Sequence, residues 1–281
     1  MSLSQFAQEH GLPRVGARPP FLSYMAEVWR RREFVITMAR YRLRSGFEAN
    51  RLGIGWVVLR PLLNALIYGT IFGLLQGSSR PPDFAAYVVV GIFLFEFFQG
   101  CFNDGSKAIV QNRSLVQSLA FPRITLPLSS IVERLISLGV MLVVLVPILA
   151  FFGHYPRWEW LMVVPMLMAF ILFSAGIAFI TARLTVYVSD LSQLLPFISR
   201  ILFYSSGVLF DVGRILGDYP WVLKVYDFNP LYQALTMARH YLIDAPAFPL
   251  HYWITLPVIS VVLFVAGALF FWSAEERYGR D

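Results

Sequence analysis

Six long apolar stretches divide this chain, and its charged residues lie almost entirely in the segments between them. The stretches cover residues 52–75, 84–109, 135–152, 158–182, 191–210 and 253–272. The hydrocarbon of a bilayer offers no water to backbone polar groups, so a segment that crosses it must be a helix or part of a closed barrel. The pattern therefore predicts an all-α membrane protein with six transmembrane helices.

The composition agrees with this fold class. Of the 281 residues, 57% are hydrophobic and 14% are charged, whereas soluble domains usually carry about 25% charged residues. The single cysteine, Cys101, excludes a disulfide within the chain. A net charge of +6 is compatible with binding to nucleic acid, but the distribution of the basic residues explains it better.

Most basic residues lie on one side of the predicted bundle. If both termini are inside, the inner segments hold 15 of the 23 Lys and Arg residues and the outer segments hold 5. Cytoplasmic loops of membrane proteins carry such an excess. The bias predicts a multi-pass protein with both termini in the cytoplasm, and we expect no nucleic-acid partner.

An arginine-rich segment precedes the first apolar stretch. Residues 1–22 are polar and predict a cytoplasmic tail. In residues 23–45, apolar side chains recur at helical spacing opposite several arginines. The pattern predicts an amphipathic interface helix within residues 23–51 that lies along the membrane surface; a solvated charged face is the alternative. The six-span domain then covers residues 52–281.

Two of the predicted loops contain sequence patterns that are typical of helices. In the inner loop, 103–123, residues 115–121 predict a short amphipathic helix ended by Pro122. The outer segment, 211–252, is long and only partly polar. Within it, Asn229 and Pro230 have the character of an N-cap and a first helical residue. This segment either re-enters the outer leaflet or extends into solvent.

Sequence motifs for catalysis are missing. The chain has no GxSxG and no HExxH motif, and its histidines show no ligand spacing. The segment GCFNDGSK at residues 100–107 lacks the lysine that directly follows the second glycine of a phosphate loop. We therefore expect no catalytic residue, no metal site and no cofactor on this chain, and a nucleotide site only on a partner.

Polar residues recur along one face of three predicted spans. Glu96 and Arg200 lie near mid-membrane, where a charge costs about 2.5–3.5 kcal/mol, so each should face protein or water. The faces line a hydrated pathway, or Glu96 forms a buried ion pair with Arg200 or Arg60 that holds helices together. The members of the three faces are Arg60, Asn64 and Tyr68; Glu96, Gln99, Asn103 and Lys107; and Gln193, Arg200 and Tyr204.

Aromatic residues crowd the second span. Their rings suit a channel for sugars, whose apolar C–H faces pack on aromatic rings, but core packing is the more general role of such residues. The rings in question belong to Phe93, Phe95, Phe97 and Phe98.

Several segments together resemble a known family. They are RYRLRS at 40–45, RLGIGWVVLRPLL at 51–63, NRSLVQSLAFPR at 112–123, DLSQLLPFISRILFYSSGVLF at 190–210 and NPLYQALTMAR at 229–239. They are similar to the permease subunits of type-2 ABC exporters for lipid-linked polysaccharides, such as the O-antigen, teichoic acid and cell-wall galactan carriers. The resemblance covers nearly the whole chain in order, although GFEAN at 46–50 lengthens one join.

The resemblance implies a function and a set of partners. The chain would pair with a second copy of itself and with two ABC ATPase subunits that hold ATP and Mg²⁺, in a bacterial plasma membrane. The substrate would be a polyprenyl-diphosphate-linked polysaccharide that leaves the cytoplasm, with membrane lipids around the bundle. The chain itself would be a transport subunit and not an enzyme.

The resemblance also implies roles for particular residues. A coupling helix would dock on the ATPase through Leu115, Val116, Gln117, Ser118, Leu119, Phe121, Pro122 and Arg123. The outer gate helices, before the last span, would include Asp211, Asn229, Pro230 and Tyr232. Substrate entry and the channel would involve Arg40, Arg44, Arg51, Trp56, Arg60, Asn64, Tyr68, Phe93, Glu96, Gln99, Arg200 and Tyr204.

Two alternatives remain at this stage. A permease of the same fold for drugs or small lipids would have the same spans. An integral-membrane enzyme of polyprenyl-linked glycan synthesis is less favoured, because such enzymes need acidic residues clustered at one membrane face. The acids of this chain are scattered, with Glu133 and Asp190 on different loops.

Overall fold

A computed structural model describes residues 19–46, 51–77, 80–81 and 83–276 of the chain. These residues are all-α and include no strand, which confirms the predicted class. The predicted tail lies mostly outside the described residues, as do residues 47–50 at the end of the predicted interface helix.

The predicted interface helix is two helices in the structure. Helix α1 spans Phe21–Arg30 and helix α2 spans Arg32–Ser45. They meet at Arg31, whose backbone leaves the helical range with φ −94° and ψ 17°. The bend allows each helix to bury its own apolar side chains against the bundle, including Tyr24 on α1 and Val35 on α2.

Five helices in the described residues are long and apolar enough to cross a membrane. They cover Gly53–Gln76, Phe84–Lys107, Thr125–Phe151, Trp158–Tyr187 and Tyr252–Trp272. Two of them begin with a short 3₁₀ turn, and Arg113–Ser118 forms the short helix α5 between the second and third. The α-helical parts are α3 (Trp56–Gln76), α4 (Phe84–Lys107), α6 (Thr125–Phe151), α7 (Val163–Tyr187) and α12 (Tyr252–Trp272).

The predicted fifth span, 191–210, is shorter in the structure. Helix α8 spans Leu191–Ser205, which is 15 residues. At a rise of about 1.5 Å per residue it is roughly 22 Å long, less than the hydrocarbon thickness of about 30 Å. The helix ends early because the chain reverses at Gly207, where φ is +70°. Helices α9 (Val212–Leu216), α10 (Pro220–Asp227) and α11 (Pro230–Ile243) follow.

Helix α4 is the centre of the bundle. Of its apolar window 83% is buried, compared with 11% for Gly53–Gln76, because α3, α6, α7, α8 and α11 all pack around α4. The side chains of Phe93, Phe95, Phe97 and Phe98 are each no more than 2% exposed. These rings form the core, and the prediction that Phe93 lines a channel is corrected accordingly.

Helices α7 and α12 pack through two glycines. A Cβ atom at Gly176 would lie 2.6 Å from the backbone of Leu263, and one at Gly267 would lie 2.5 Å from the carbonyl oxygen of Gly176. Small residues let helix backbones approach closely in membrane proteins, where van der Waals packing drives much of the association. This pair fixes the last span against the bundle.

Candidate functional site

Residues 113–123 include the predicted docking residues, and we call them the docking segment. Its helix is shorter than predicted and begins earlier in the sequence. Helix α5 begins at Arg113 and ends at Ser118, whereas the prediction was 115–121. Leu119 is already extended, with φ −126° and ψ 137°. A proline disfavours the helical conformation of the residue before it, so the helix cannot continue up to Pro122.

The residues of this segment divide into an exposed set and a buried set. Leu119 is 53% exposed, whereas Val116 and Phe121 are 3% and 9% exposed. The ring of Phe121 packs against that of Phe34 on α2, with centroids 5.6 Å apart. The buried residues therefore hold the loop on the bundle, and a partner can contact only the exposed ones. Of the other predicted docking residues, Gln117 and Ser118 are exposed, Leu115 and Arg123 are half-buried, and Pro122 is buried.

A charged cavity lies where α2, α3, α4 and α6 meet. Its volume is about 190 Å³, and the guanidinium of Arg60 lies 5.7 Å from the ring centre of Trp56. Arg134 forms a salt bridge with Asp104. Three predicted channel residues thus come together here, with partners that the sequence did not indicate. The lining includes Arg42, Trp56, Arg60, Glu96, Glu133 and Arg134.

The predicted substrate-entry arginines lie on the surface. Arg40 and Arg44 on α2 are exposed, as is Arg51. Arg42, between the first two, turns inward and donates to the hydroxyl of Ser130 on α6. Burial lowers the pKa of Arg42, and the charge of Glu133 opposes this shift. Arg42 therefore anchors α2, while its neighbours are accessible to a ligand.

The polar face of α4 meets α8 at a serine. The side-chain amides of Gln99 and Asn103 each lie 3.3 Å from the hydroxyl of Ser199, to which they donate. Arg200, the next residue, is exposed. Among the described residues no ion pair joins Glu96 to Arg200, so that predicted pair is wrong: consecutive helical residues point in different directions, and Ser199 takes the inward position.

Aromatic rings connect α3 to α8. The ring of Tyr68 lies 5.2 Å from Phe203 and 6.3 Å from Tyr204, between centroids. Beyond this contact both helices expose large side chains: Leu66 is 66% exposed and Phe197 is 63% exposed. The predicted channel residues Asn64 and Arg200 are exposed as well. We call this set, Asn64, Leu66, Phe197, Arg200 and Tyr204, the α3–α8 surface.

The outer segment has the predicted helix starts. The side chain of Asn229 accepts a hydrogen bond from the backbone N–H of Leu231 at 3.0 Å, and Pro230 is the first helical residue, which confirms this predicted N-terminus. Asp211 caps α9 in the same way, through the N–H of Gly213 at 2.9 Å.

One arginine of the outer segment is fully inside the protein. Arg239 on α11 is 2% exposed and donates to the carbonyl oxygens of Tyr87, Gly207 and Val208 at 3.2, 2.8 and 2.7 Å. Its guanidinium carbon lies 3.4 Å from the centre of the Tyr87 ring. Burial lowers the pKa of Arg239. No role was predicted for Arg239 from the sequence, although an arginine within an otherwise apolar helix is a signal for a buried role.

A second buried charge was also missed. Glu275, just beyond α12, is 4% exposed and contacts both Tyr24 and Arg123. It follows the last apolar stretch, where a charged residue is normally exposed to water, so no sequence pattern indicated its burial.

Comparisons with known proteins identify a family and several relatives of this chain. Residues 33–243 match the family described as ABC-2 type transporter. An O-antigen export system permease protein RfbA from Myxococcus xanthus is 24% identical over 260 residues, which is 91% of this chain and 97% of the relative. Another RfbA, from Klebsiella pneumoniae, is 22% identical over 88% of this chain and 93% of the relative.

A further relative is similar over a shorter region. The polysialic acid transport protein KpsM from Escherichia coli is 24% identical over 199 residues, which is 70% of this chain and 76% of that protein. The family match, residues 33–243, includes the predicted docking residues and most of the outer segment.

Proposed function

The chain belongs to the ABC-2 type transporter family, and we propose that it is the permease subunit of an exporter that moves a polysaccharide out of the cytoplasm. The family is one of transport subunits and not of enzymes. The observation that carries the proposal is the match to O-antigen export permeases over 88–91% of this chain.

ATP hydrolysis on partner subunits would drive the transport. The exposed part of the docking segment, around Leu119, offers an apolar contact at the end of a short helix. An ATPase that binds this segment better in one arrangement of the permease than in another would shift the equilibrium between the two. We propose two such ATPase subunits, with ATP and Mg²⁺ bound to them.

We propose that the chain crosses the membrane six times with both termini in the cytoplasm. Helix α8 would supply the remaining crossing, and the outer segment from Asp211 to Ile243 would form gate helices that re-enter the outer leaflet. Support comes from the charge bias and from the apolar residues that α8 exposes, such as Phe197. Helices α1 and α2 would lie on the inner membrane surface, with Leu22 and Trp29, 82% and 70% exposed, toward lipid.

A second copy of the chain would cover the α3–α8 surface. Gly53–Gln76 is the least buried of the five candidate spans, and Asn64 and Arg200 are polar groups that lipid would not solvate. Pairing two copies through this surface would place these polar groups along a shared channel. Tyr68 and Tyr204 would then stand at its wall.

The substrate would be a polysaccharide linked to polyprenyl diphosphate. Arg40, Arg44 and Arg51 are exposed near the inner end of α3, where positive charge attracts anionic lipid head groups. We expect that replacing all three with glutamine weakens both substrate binding and export. Unchanged substrate binding and export in this variant would contradict a role for the three arginines in substrate entry.

Depletion of the chain in its own bacterium tests the proposed function. We expect lipid-linked polysaccharide to accumulate in the cytoplasm and to disappear from the cell surface, because synthesis continues while export stops. Normal surface polysaccharide after depletion would contradict the proposal. Lost resistance to small amphiphiles without glycan accumulation would indicate a permease for drugs or small lipids instead.

A further inference from the structure

Three separate parts of the chain meet at one carboxylate. Glu275 follows α12, the last apolar helix, and its side chain is buried. One carboxylate oxygen accepts from the hydroxyl of Tyr24 on α1 at 2.7 Å. The other accepts from the backbone N–H of Arg123, at the end of the docking segment, at 2.9 Å.

Further hydrogen bonds join Glu275, Tyr24 and the end of the docking segment, and we call this set of contacts the junction. The guanidinium of Arg123 donates to the backbone carbonyl of Glu275 at 2.8 Å and lies 3.6 Å from its carboxylate. The hydroxyl of Tyr24 also accepts from the backbone N–H of Ile124, at 3.1 Å. Two consecutive backbone N–H groups at the exit of the docking segment are thus held by Glu275 and Tyr24.

The neighbouring contacts follow the same pattern. The ring of Phe21 on α1 packs on Trp272 of α12, with centroids 5.5 Å apart. Arg31, between α1 and α2, donates to the carbonyl oxygen of Ala120 in the docking segment at 3.3 Å. The interface helices, the docking segment and the end of the last span therefore form one connected unit.

A buried carboxylate is costly unless its hydrogen bonds are made. Burial raises the pKa of Glu275, and so does the charge of Glu27, whereas the N–H of Arg123, the hydroxyl of Tyr24 and the charge of Arg123 lower it. Apolar packing alone would hold these elements together without fixing their register. Hydrogen bonds to backbone N–H groups fix both the position and the direction of the segment, because they require particular geometry.

We propose that Glu275 is a positioning residue that couples the ATPase-docking segment to α1 and to the last span. Movement of residues 113–123 by the ATPase would then move α1 and the cytoplasmic end of α12 as one body. The inference rests on the proposed function, because it takes residues 113–123 as the ATPase contact.

The test compares Glu275→Gln with Glu33→Gln, at an exposed acid on α2, which makes the same change of charge. Each variant is purified with its ATPase and reconstituted in vesicles that contain lipid-linked polysaccharide. Glutamine keeps the shape of the side chain but has no charge and one acceptor oxygen in place of two, so its N–H₂ group cannot accept the hydrogen bond of the second donor. We expect normal assembly and ATP hydrolysis for Glu275→Gln, but about tenfold less polysaccharide moved per ATP. Glu33→Gln should match the wild type.

A second variant separates coupling from folding. Tyr24→Phe removes a single hydroxyl and should also lower the polysaccharide moved per ATP. Combined with Glu275→Gln, it should add less than its separate effect, since both residues belong to one network. Glu275→Asp keeps the carboxylate, so it should move more polysaccharide per ATP than Glu275→Gln does.

The outcomes distinguish failure of the proposed role of Glu275 from failure of the proposed function. Wild-type coupling in both Glu275→Gln and Tyr24→Phe overturns the inference and leaves the proposed function intact. Loss of assembly or of folded protein in both variants also overturns it, because the junction would then be structural only. If the wild-type complex moves no polysaccharide, the proposed function fails, and the inference fails with it.

Discussion

Arg239 donates hydrogen bonds to backbone carbonyl groups that a chain reversal inside a helical bundle leaves without helical partners. Where α8 ends, the carbonyl groups of Gly207 and Val208 have left the helix, and they accept hydrogen bonds from this one guanidinium. A planar group with five N–H donors can serve several carbonyls at once, which lysine cannot do with the same geometry. The residue also contacts α4 through Tyr87, so it ties the outer segment to the central helix.

At this residue, Arg239→Met should lower the free energy of unfolding by about 3 kcal/mol or more, since each buried acceptor left unsatisfied costs about 1–3 kcal/mol. Thermal unfolding of the purified protein in detergent is the measurement, with exposed Arg44→Met as the matched control. Arg239→Lys should be intermediate. An Arg239→Met protein as stable as the control would show that these hydrogen bonds do not hold the reversal.

Local residue patterns were predictable, and distant partners were not. The N-cap at Asn229 could be read from the sequence because a cap bonds to a backbone group two residues away. The roles of Arg239 and Glu275 depend on residues more than 30 and 150 positions away, respectively. No periodicity in the sequence reports such pairs. For the same reason the sequence left both Arg60 and Arg200 open as partners of Glu96, and the structure places Arg60 beside the same cavity as Glu96.

At the scale of elements, close packing of α7 on α12 depends on two glycines. Gly176→Ala places a methyl group 2.6 Å from the backbone of Leu263, so the helices must separate. We expect a loss of about 1–3 kcal/mol in the free energy of unfolding, as for other overpacked sites. Gly139→Ala on α6 is the control, because no atom lies within 4 Å of its added Cβ. Equal unfolding temperatures of the two variants would contradict this packing.

The docking segment gives an element-scale prediction that separates binding from folding. Leu119→Glu places a charge on a 53% exposed side chain and should weaken co-purification with the ATPase by about tenfold or more, as at the centre of other interfaces. Stability should not change. Tyr155→Glu, at a residue 65% exposed in a loop on the other side, should bind normally. Retained co-purification of Leu119→Glu would place the ATPase contact elsewhere.

The buried part of the same segment is unsuitable for that experiment. Phe121 packs on Phe34, so a charge there would disturb the bundle as well as any partner contact. The family resemblance implied docking roles for both Leu119 and Phe121, without indicating which of them is exposed. Which of them faces outward depends on the end of α5 at Ser118, which a pattern of apolar residues does not reveal.

Hydropathy predicted the long elements well and their ends less well. Five of the six apolar stretches are helices long enough to cross a membrane, because length and apolar composition are properties of the sequence alone. The stretch 191–210 continued the apolar pattern past Ser205, but the helix does not. Its end is set by the turn at Gly207 and by the contacts of Arg239, which apolar composition does not report.

At the scale of the whole molecule, the α3–α8 surface predicts how two copies pair. Leu66→Cys should form a disulfide or a short chemical cross-link between copies, because the surface would lie at their interface. Native Cys101 is buried, which keeps the background low. Val143→Cys on α6, at a residue 73% exposed, is the control and should not cross-link. Cross-linking of Val143→Cys but not of Leu66→Cys would indicate that two copies pair through α6 instead.

The central claim is that this chain conducts a polysaccharide across the membrane while hydrolysis takes place on another protein. The direct measurement is transport of labelled lipid-linked polysaccharide into sealed vesicles that hold the purified chain, with and without its ATPase. We predict ATP-dependent uptake only when both proteins are present, and no ATP hydrolysis by the chain alone. Hydrolysis by the chain alone, or no uptake with the complete complex, would contradict the claim.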